Sequence, residues 1–192
     1  MKFYKLVTLR DEKNESENIF CNSKKIYNID RYDVLKGKKI NNWNKNITLF
    51  YDSEKGNILT DYLENVLGWF VVSTKLKNII EELDKNAVQF LPINIESLNG
   101  DNKLNGYYVA NILQVIDAVN WELSDYREAY VKKKNITIKY VRKYVFNREA
   151  IKDAHIFKIP NKVTPIFVSQ RFRNVIENNK ITKCQFREIK VI

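Results

Sequence analysis

The sequence has little of what metal binding and most enzymatic reactions require. It contains one histidine, His155, and two cysteines, Cys21 and Cys184, among 192 residues. Because zinc sites draw their ligands largely from histidine and cysteine, a zinc site built on histidines is nearly excluded. No glycine-rich phosphate-binding loop and no G-x-S-x-G turn occurs either. We therefore expect no catalytic residues, no cofactor and no metal ligands.

Glycine, proline and long apolar runs are also scarce. With five Gly and three Pro, no flexible linker divides the chain. We predict a single domain over residues 1–192, in which 1–96 and 97–192 could be pseudo-repeat halves. No stretch approaches the roughly 20 apolar residues of a membrane span, and the first residues lack the apolar core of a secretory signal. Two cysteines without such a signal are typical of free thiols in a reducing compartment, so we expect a cytoplasmic protein.

Apolar residues are plentiful, and part of their pattern occurs twice. With 44% hydrophobic and 12% aromatic residues, the chain can form a substantial core. Residues 70–95 align with residues 166–191 at a constant shift of 96, without a gap and with eight identical positions. Each copy predicts a strand, a serine, an amphipathic helix and a second strand. We therefore predict an α/β or α+β fold, a strand-rich mixed sheet with a repeated strand-helix-strand unit at about 70–95 and 166–191.

The serine in each copy is best explained as a helix cap. Ser73 and Ser169 each lie between a predicted strand and a predicted helix, where a side-chain oxygen can accept a backbone N–H. In the first copy Leu76, Ile80 and Leu83 fall on one apolar stripe of that helix. The repeat therefore predicts packing and capping, and it places no nucleophile in a site.

Three segments outside the repeat carry further predictions. Thr60 is a candidate cap for a short helix over Asp61–Leu67. The clearest strand is Ile136–Phe146, with Tyr140 on an apolar face that we expect to point into the core. We expect the segment Asp117–Tyr130 to be irregular, with exposed aromatic residues.

The positive charge is concentrated in the second half of the chain. Of the formal net charge of +10, residues 1–96 contribute +1 and residues 97–192 contribute +9. This asymmetry indicates an acidic partner, namely nucleic acid, an anionic surface or an acidic protein, although a basic surface also serves solubility. Basic residues between Lys132 and Arg148 are interleaved with tyrosines, a pattern that nucleic-acid-binding proteins also show.

A metal-dependent nuclease is the enzymatic alternative. Glu188 and Lys190 form the E-x-K half of such a site, and Asp153 could be the distant second carboxylate. Residues two apart on a strand do share a face, but any solvated strand produces this spacing easily. A nucleic-acid-binding protein, with or without nuclease activity, therefore stays the alternative to a protein that acts by binding another protein.

Several short segments, taken in order, resemble a known family. They are KFYKL at 2–6, KINNWN at 39–44, ITLFY at 47–51, TDYL at 60–63, LGWFVVS at 67–73, GYYVANI at 106–112, DAHIF at 153–157 and IFVS at 166–169. The ordered set resembles the immunity proteins of bacterial polymorphic toxin systems, in the family once described as a domain of unknown function and typified by a myxobacterial immunity protein. No single segment is specific, whereas the set covers nearly the whole chain.

The resemblance implies a cytoplasmic, non-enzymatic protein that protects its own cell by binding a cognate toxin domain. Inhibitors of nuclease toxins are often acidic, so the basic second half predicts an acidic toxin surface instead. The segment Asp117–Lys134 offers candidate contacts, because aromatic and arginine side chains dominate interfaces when they fill pockets. The candidate partner-binding residues are Trp121, Tyr126, Arg127, Tyr130, Lys132 and Lys133. Trp121 is equally well explained as a core residue.

Overall fold

The computed structural model describes residues 1–8, 17–22, 30–132, 135–161 and 165–192, with the backbone alone at Ile136. The strands in these ranges are β1 Phe3–Thr8, β2 Phe20–Asn22, β3 Thr48–Tyr51, β4 Tyr62–Asn65, β5 Val71–Ser73, β6 Val88–Ser97, β7 Lys103–Ile112, β8 Asp125–Val131, β9 Ile136–Lys143, β10 Val145–Phe146, β11 Ile156–Phe157, β12 Ile166–Ser169 and β13 Cys184–Val191. The helices are α1 Thr74–Leu83, α2 Arg148–Ile151 and α3 Gln170–Asn178, and Asp33–Leu35 forms one turn of 3₁₀ helix.

The strands form three separate sheets. Six of them close into a barrel in the order β2-β3-β6-β7-β5-β4, and five form an open sheet in the order β10-β13-β1-β12-β11. Among the strands of the described ranges, β8 and β9 pair only with each other, as a two-stranded hairpin. The predicted mixture of strand and helix, with strand predominant, is confirmed.

Alternation along the barrel strands separates an interior from an outer face. Leu49, Leu63 and Val109 are fully buried in the barrel interior. The outer face contributes residues such as Val72 and Ala110 to a second core cluster, which also contains α1, α3 and one face of the open sheet. The two helices are thus packed between the barrel and the open sheet, because each has an apolar stripe that must be covered.

Both helices begin at the predicted serine caps. Ser73 accepts a hydrogen bond from the backbone N–H of Leu76, and Ser169 accepts one from that of Phe172, each at 3.2 Å. These bonds satisfy backbone donors that the first turn of a helix otherwise leaves without a partner.

The two predicted repeat segments occupy comparable positions in different sheets. Strands β5 and β6 both run antiparallel to β7, which lies between them in the barrel. Strands β12 and β13 both run antiparallel to β1, which lies between them in the open sheet. The central strand follows the first segment in the chain but precedes the second. Whether the two segments superpose as repeated units stays a prediction.

The predicted helix over Asp61–Leu67 is wrong, since β4 occupies Tyr62–Asn65. Leu63 points into the barrel and Tyr62 packs outside it against Phe70, with ring centroids 4.8 Å apart, which is the alternation of a strand. The hydroxyl of Thr60 donates to the Tyr62 carbonyl and does not cap a helix. Pairing with β2 and β5 therefore outweighs the local helical pattern.

A third core cluster covers the other face of the open sheet. It is rich in phenylalanine: Phe146 lies 4.7 Å from Phe167 and 5.9 Å from Phe157 between ring centroids. The predicted strand Ile136–Phe146 is divided here, because β9 ends at Lys143 and β10 joins β13. Tyr144, between them, packs into this cluster.

Candidate functional site

The hairpin, residues 125–143, is the most exposed regular element in the described chain. None of its side chains that the structure describes is fully buried. Its strands pair from Asp125 opposite Lys143 to Val131 opposite Ile136, with an irregularity between Asp125 and Tyr126. The prediction that Asp117–Tyr130 is irregular is therefore wrong from Asp125 onward. Neither face of the hairpin is buried, so the period-two signal on which strand prediction depends is weak.

One face of the hairpin holds a cation over two aromatic rings. Trp121 and Tyr126 meet edge to face, with ring centroids 5.3 Å apart. The Lys139 ammonium lies 4.4 Å from the Trp121 ring and 4.7 Å from the Tyr126 ring, and 3.5 Å from the Glu128 carboxylate. Trp121 is half-buried and packs against the third core cluster, which fixes this arrangement to the body of the protein.

The opposite face carries Arg127, Ala129, Val131, Ile138 and Tyr140. The Arg127 guanidinium lies 5.2 Å from the centre of the Tyr140 ring, a cation–π contact. Tyr140 is 45% exposed, so the prediction that it points into the core is wrong. Its strand has an apolar face, but none of the core clusters in the described part of the chain includes Tyr140.

The remaining sequence candidates lie towards the tip of the hairpin. Tyr130 is 62% exposed, and its hydroxyl donates to the Asn135 side chain at 2.6 Å. Lys132 is exposed beside it, whereas Lys133 lies outside the described residues. The structure thus brings Trp121 and Tyr126 together on one face, places Arg127 on the other and leaves Tyr130 at the tip.

Lys139 and Tyr140 complete the two faces, and the sequence analysis did not select them as partner-binding residues. Opposite pairing of β8 with β9 places Glu128 beside Lys139 and Arg127 beside Tyr140. Recognising both segments as strands of one hairpin would have indicated these neighbours. The surface that results includes tyrosine, tryptophan and arginine, which are enriched at protein interfaces.

His155 and Ser169 are in contact, although the sequence did not indicate it. The imidazole Nδ1 lies 2.9 Å from the Ser169 hydroxyl, which also accepts the N–H of Phe172. Ser169 has no exposed surface, so no substrate could reach its oxygen. In the first copy, the Ser73 hydroxyl donates to Asp61 at 2.6 Å. Both contacts therefore stabilise helix caps.

The glutamate of the E-x-K pair in the nuclease alternative is held in a surface ion pair. Glu188 lies 3.0 Å from the Lys2 ammonium, across the open sheet. Within the ranges that the structure describes, no group of three or more histidine, cysteine, aspartate or glutamate side chains could hold a metal ion. The longest described helix has 10 residues, and none in those ranges has the length and apolar character needed to cross a membrane.

Comparison with models of protein families shows to which family the chain belongs. The immunity protein family Imm11 matches residues 2–191. The chain belongs to the Imm11 family. The resemblance drawn from the ordered segments is thereby confirmed over nearly the whole length. No curated protein sequence shows significant similarity to this Imm11 chain. The barrel, the open sheet and the hairpin all lie within the matched residues.

Proposed function

We propose that this protein neutralises a bacterial toxin by binding a cognate toxin domain in the cytoplasm, without chemistry of its own. The observation that carries the proposal is the match to the Imm11 immunity protein family over residues 2–191. A protein that acts only by binding its partner needs a stable scaffold and an exposed contact surface. Both are present here, as two packed sheets and a hairpin that projects aromatic and cationic side chains.

The hairpin is the proposed contact surface. Trp121 and Tyr126 form a supported aromatic platform, while Tyr130 and Tyr140 are largely solvent-exposed. Aromatic side chains of this kind bury large areas at little conformational cost when a partner covers them. Residues 125–143 carry seven lysines and arginines against two acidic residues, which favours an acidic toxin surface.

The proposal is tested with a candidate toxin domain, which is sought first among the genes adjacent to that of this protein. Co-expression should restore growth of cells that produce the toxin domain, and the purified proteins should form a stoichiometric complex. A standard interface would bury about 1,600 Å² in total. Mass photometry or light scattering gives the stoichiometry, and calorimetry gives the affinity. Protection without a complex would contradict the proposal, since it would require the protein to act on something other than the toxin.

Four substitutions locate the contact. Tyr130→Ala and Tyr140→Ala should each weaken the complex by about 1–2 kcal/mol, while leaving the free energy of unfolding nearly unchanged because both rings are exposed. Phe50→Ala and Tyr32→Ala, on the barrel side of the chain, are the controls and should leave toxin affinity unaltered. If the control substitutions weaken the complex and the hairpin substitutions do not, the contact surface lies on the barrel.

A further inference from the structure

A basic groove lies between the base of the hairpin and the open sheet. It encloses about 340 Å³, and its lining includes five cations and one carboxylate. The cations are Lys5, Arg142, Lys143, Arg187 and Lys190. The carboxylate belongs to Glu188, which is already paired with Lys2. Arg142 is in turn paired with Asp125, so the excess of positive charge in the groove comes from the other four cations.

Lys5 and Arg187 are directly opposite each other on β1 and β13. Like charges at such a position repel, and a sheet is more stable without them. Lys5 is half-buried, and burial, followed by the neighbouring Arg187 charge, lowers the pKa of its ammonium below the usual range. Among the residues that the structure describes, neither side chain has a hydrogen-bond acceptor or an acidic partner. An anion from outside the molecule would satisfy both.

Arg142 forms one wall of the groove, where Asp125 orients its guanidinium. Its Nε and Nη2 donate to the same Asp125 oxygen, at 3.1 Å and 2.7 Å. Tyr144 also lines the groove, and its ring packs into the core with its centroid 5.0 Å from that of Phe167. Arg142 and Tyr144 are thus oriented by hydrogen bonds and packing before any ligand arrives, which reduces the entropy that these two side chains lose on binding.

The residues that line the groove favour binding of carboxylates over binding of a nucleic-acid backbone. Single-stranded nucleic acid is bound by a cationic track with exposed aromatic rings on which bases stack. Here the aromatic residue of the lining, Tyr144, packs into the third core cluster against Phe146 and Phe167. A short acidic protein segment instead needs only a few cations, and arginine is well suited to bind a carboxylate through two N–H groups.

We propose that the basic groove binds an acidic segment of the cognate toxin domain, with aspartate or glutamate carboxylates between Lys5 and Arg187. This inference rests on the proposed function and names the chemistry of the partner. The groove adjoins the hairpin base, so one partner could contact both. It also extends the interface to Lys5, in the half of the chain with almost no net charge.

A peptide experiment tests the groove without the toxin. The probe is a fluorescent peptide in which glutamate alternates with serine, and its counterpart has glutamine at each glutamate. Fluorescence anisotropy with the full chain should show binding of the first peptide only. Lys5→Gln together with Arg187→Gln should weaken it at least about tenfold. The control pair Lys45→Gln and Lys85→Gln removes the same charge from exposed positions elsewhere and should leave binding unchanged.

Two peptide results would overturn the inference. Equal weakening by both double variants would show that net charge alone is responsible. Tighter binding of an oligothymidylate of equal charge, lost in the groove variant, would identify a nucleic-acid site. The single variant Arg187→Gln changes an exposed residue and repeats the test if the double variant does not fold.

The same variants, measured against the toxin domain, separate this inference from the proposed function. The groove variant should bind the toxin at least about tenfold more weakly than the control variant does. Wild-type affinity in the groove variant would overturn the inference while leaving the proposed function intact. Failure of the wild-type protein to bind the toxin would overturn the proposed function. The peptide result would then still show whether the groove binds acidic segments.

Discussion

Ser73 and Ser169 occupy matching helix caps, yet a different side chain supports each of them. The Asp61 carboxylate accepts a hydrogen bond from the Ser73 hydroxyl, whereas the His155 ring contacts the hydroxyl of Ser169. Asp61 also accepts from the backbone N–H of Thr182 at 3.0 Å, which links the barrel to the segment before β13. The sequence predicted the caps because they are local, but it could not predict partners that only the sheet register brings close.

Replacing Ser169 by alanine should lower the free energy of unfolding and leave toxin neutralisation intact. Loss of a helix cap costs about 0.5–2 kcal/mol, and the Phe172 N–H would lose its acceptor. Urea unfolding measures the stability, and a growth assay measures protection. Ser53→Ala, in an exposed turn, is the control and should change neither. Abolished protection with a folded, toxin-binding variant would show that the hydroxyl has a chemical role.

Lys158 makes stability depend on pH, because its ammonium is buried. It is 4% exposed and donates to the Leu35 carbonyl at 3.2 Å. Burial lowers its pKa from 10.5 to about 8. Between these values the unfolded chain holds a proton that the folded chain has lost, so Lys158 makes the protein more stable as pH rises. Burial raises the pKa of the Cys21 thiol from 9 to about 12, which destabilises the folded chain above pH 9.

The Lys158→Met variant separates these two effects. Below pH 8 it should gain stability over the wild type from removal of a buried charge, by up to about 3 kcal/mol for a pKa change of this size. The lost hydrogen bond to Leu35 offsets about 1 kcal/mol of that gain. Denaturant unfolding from pH 7 to 9 should show the advantage shrinking as pH rises. Lys85→Met, at an exposed site, should show a constant difference; a constant difference for Lys158→Met would contradict its buried charge.

At the level of elements, the sequence predicted the helices of the repeat well and the hairpin and β4 poorly. Helices α1 and α3 have apolar stripes and caps that are visible over ten consecutive residues. Strand β4 is short, and only its pairing with β2 and β5 defines it. The hairpin has no buried face, so its residues lack the alternation that a core imposes. Its role as the candidate contact surface follows from that same exposure.

The two helices should tolerate loss of volume equally poorly. Ile80 and Ile176 are fully buried in the second core cluster, at matching positions of α1 and α3. Replacing either by alanine should cost about 2–4 kcal/mol, since a cavity remains in a packed core. The milder change to valine should cost about 0.5–1.5 kcal/mol. If one alanine variant is nearly neutral in urea unfolding, its helix does not share the core in the way that the second cluster requires.

Across the whole molecule, charge should steer the encounter with the toxin. The second half carries +9 of the +10 net charge, and the hairpin and the basic groove concentrate part of it. Reversing Arg127, Lys132 and Lys133 to glutamate should slow association about tenfold at low salt, with little change in dissociation. Added salt should reduce the difference, because it screens exposed charges.

Stopped-flow or surface-based kinetics measures this effect, with Lys39, Lys45 and Lys85 reversed to glutamate as the control. These three residues are exposed in the first half and change the net charge equally. An equal drop in the association rate for both variants would mean that total charge, and not its location, controls the encounter. An unchanged rate in both would make the basic half a solubility feature.

The central position of β1 in the open sheet bears on how quickly a cell gains protection. Its neighbours β12 and β13 are far along the chain: Tyr4 and its hydrogen-bond partner Gln170 are 166 positions apart. A ribosome adds about 5–20 residues per second, so β12 and β13 are synthesised roughly ten to thirty seconds after β1. Until then, Phe3 and Tyr4 belong to an unpaired strand that can associate with other chains. Under the proposed function, a partly synthesised copy should therefore give no protection, because it has no open sheet.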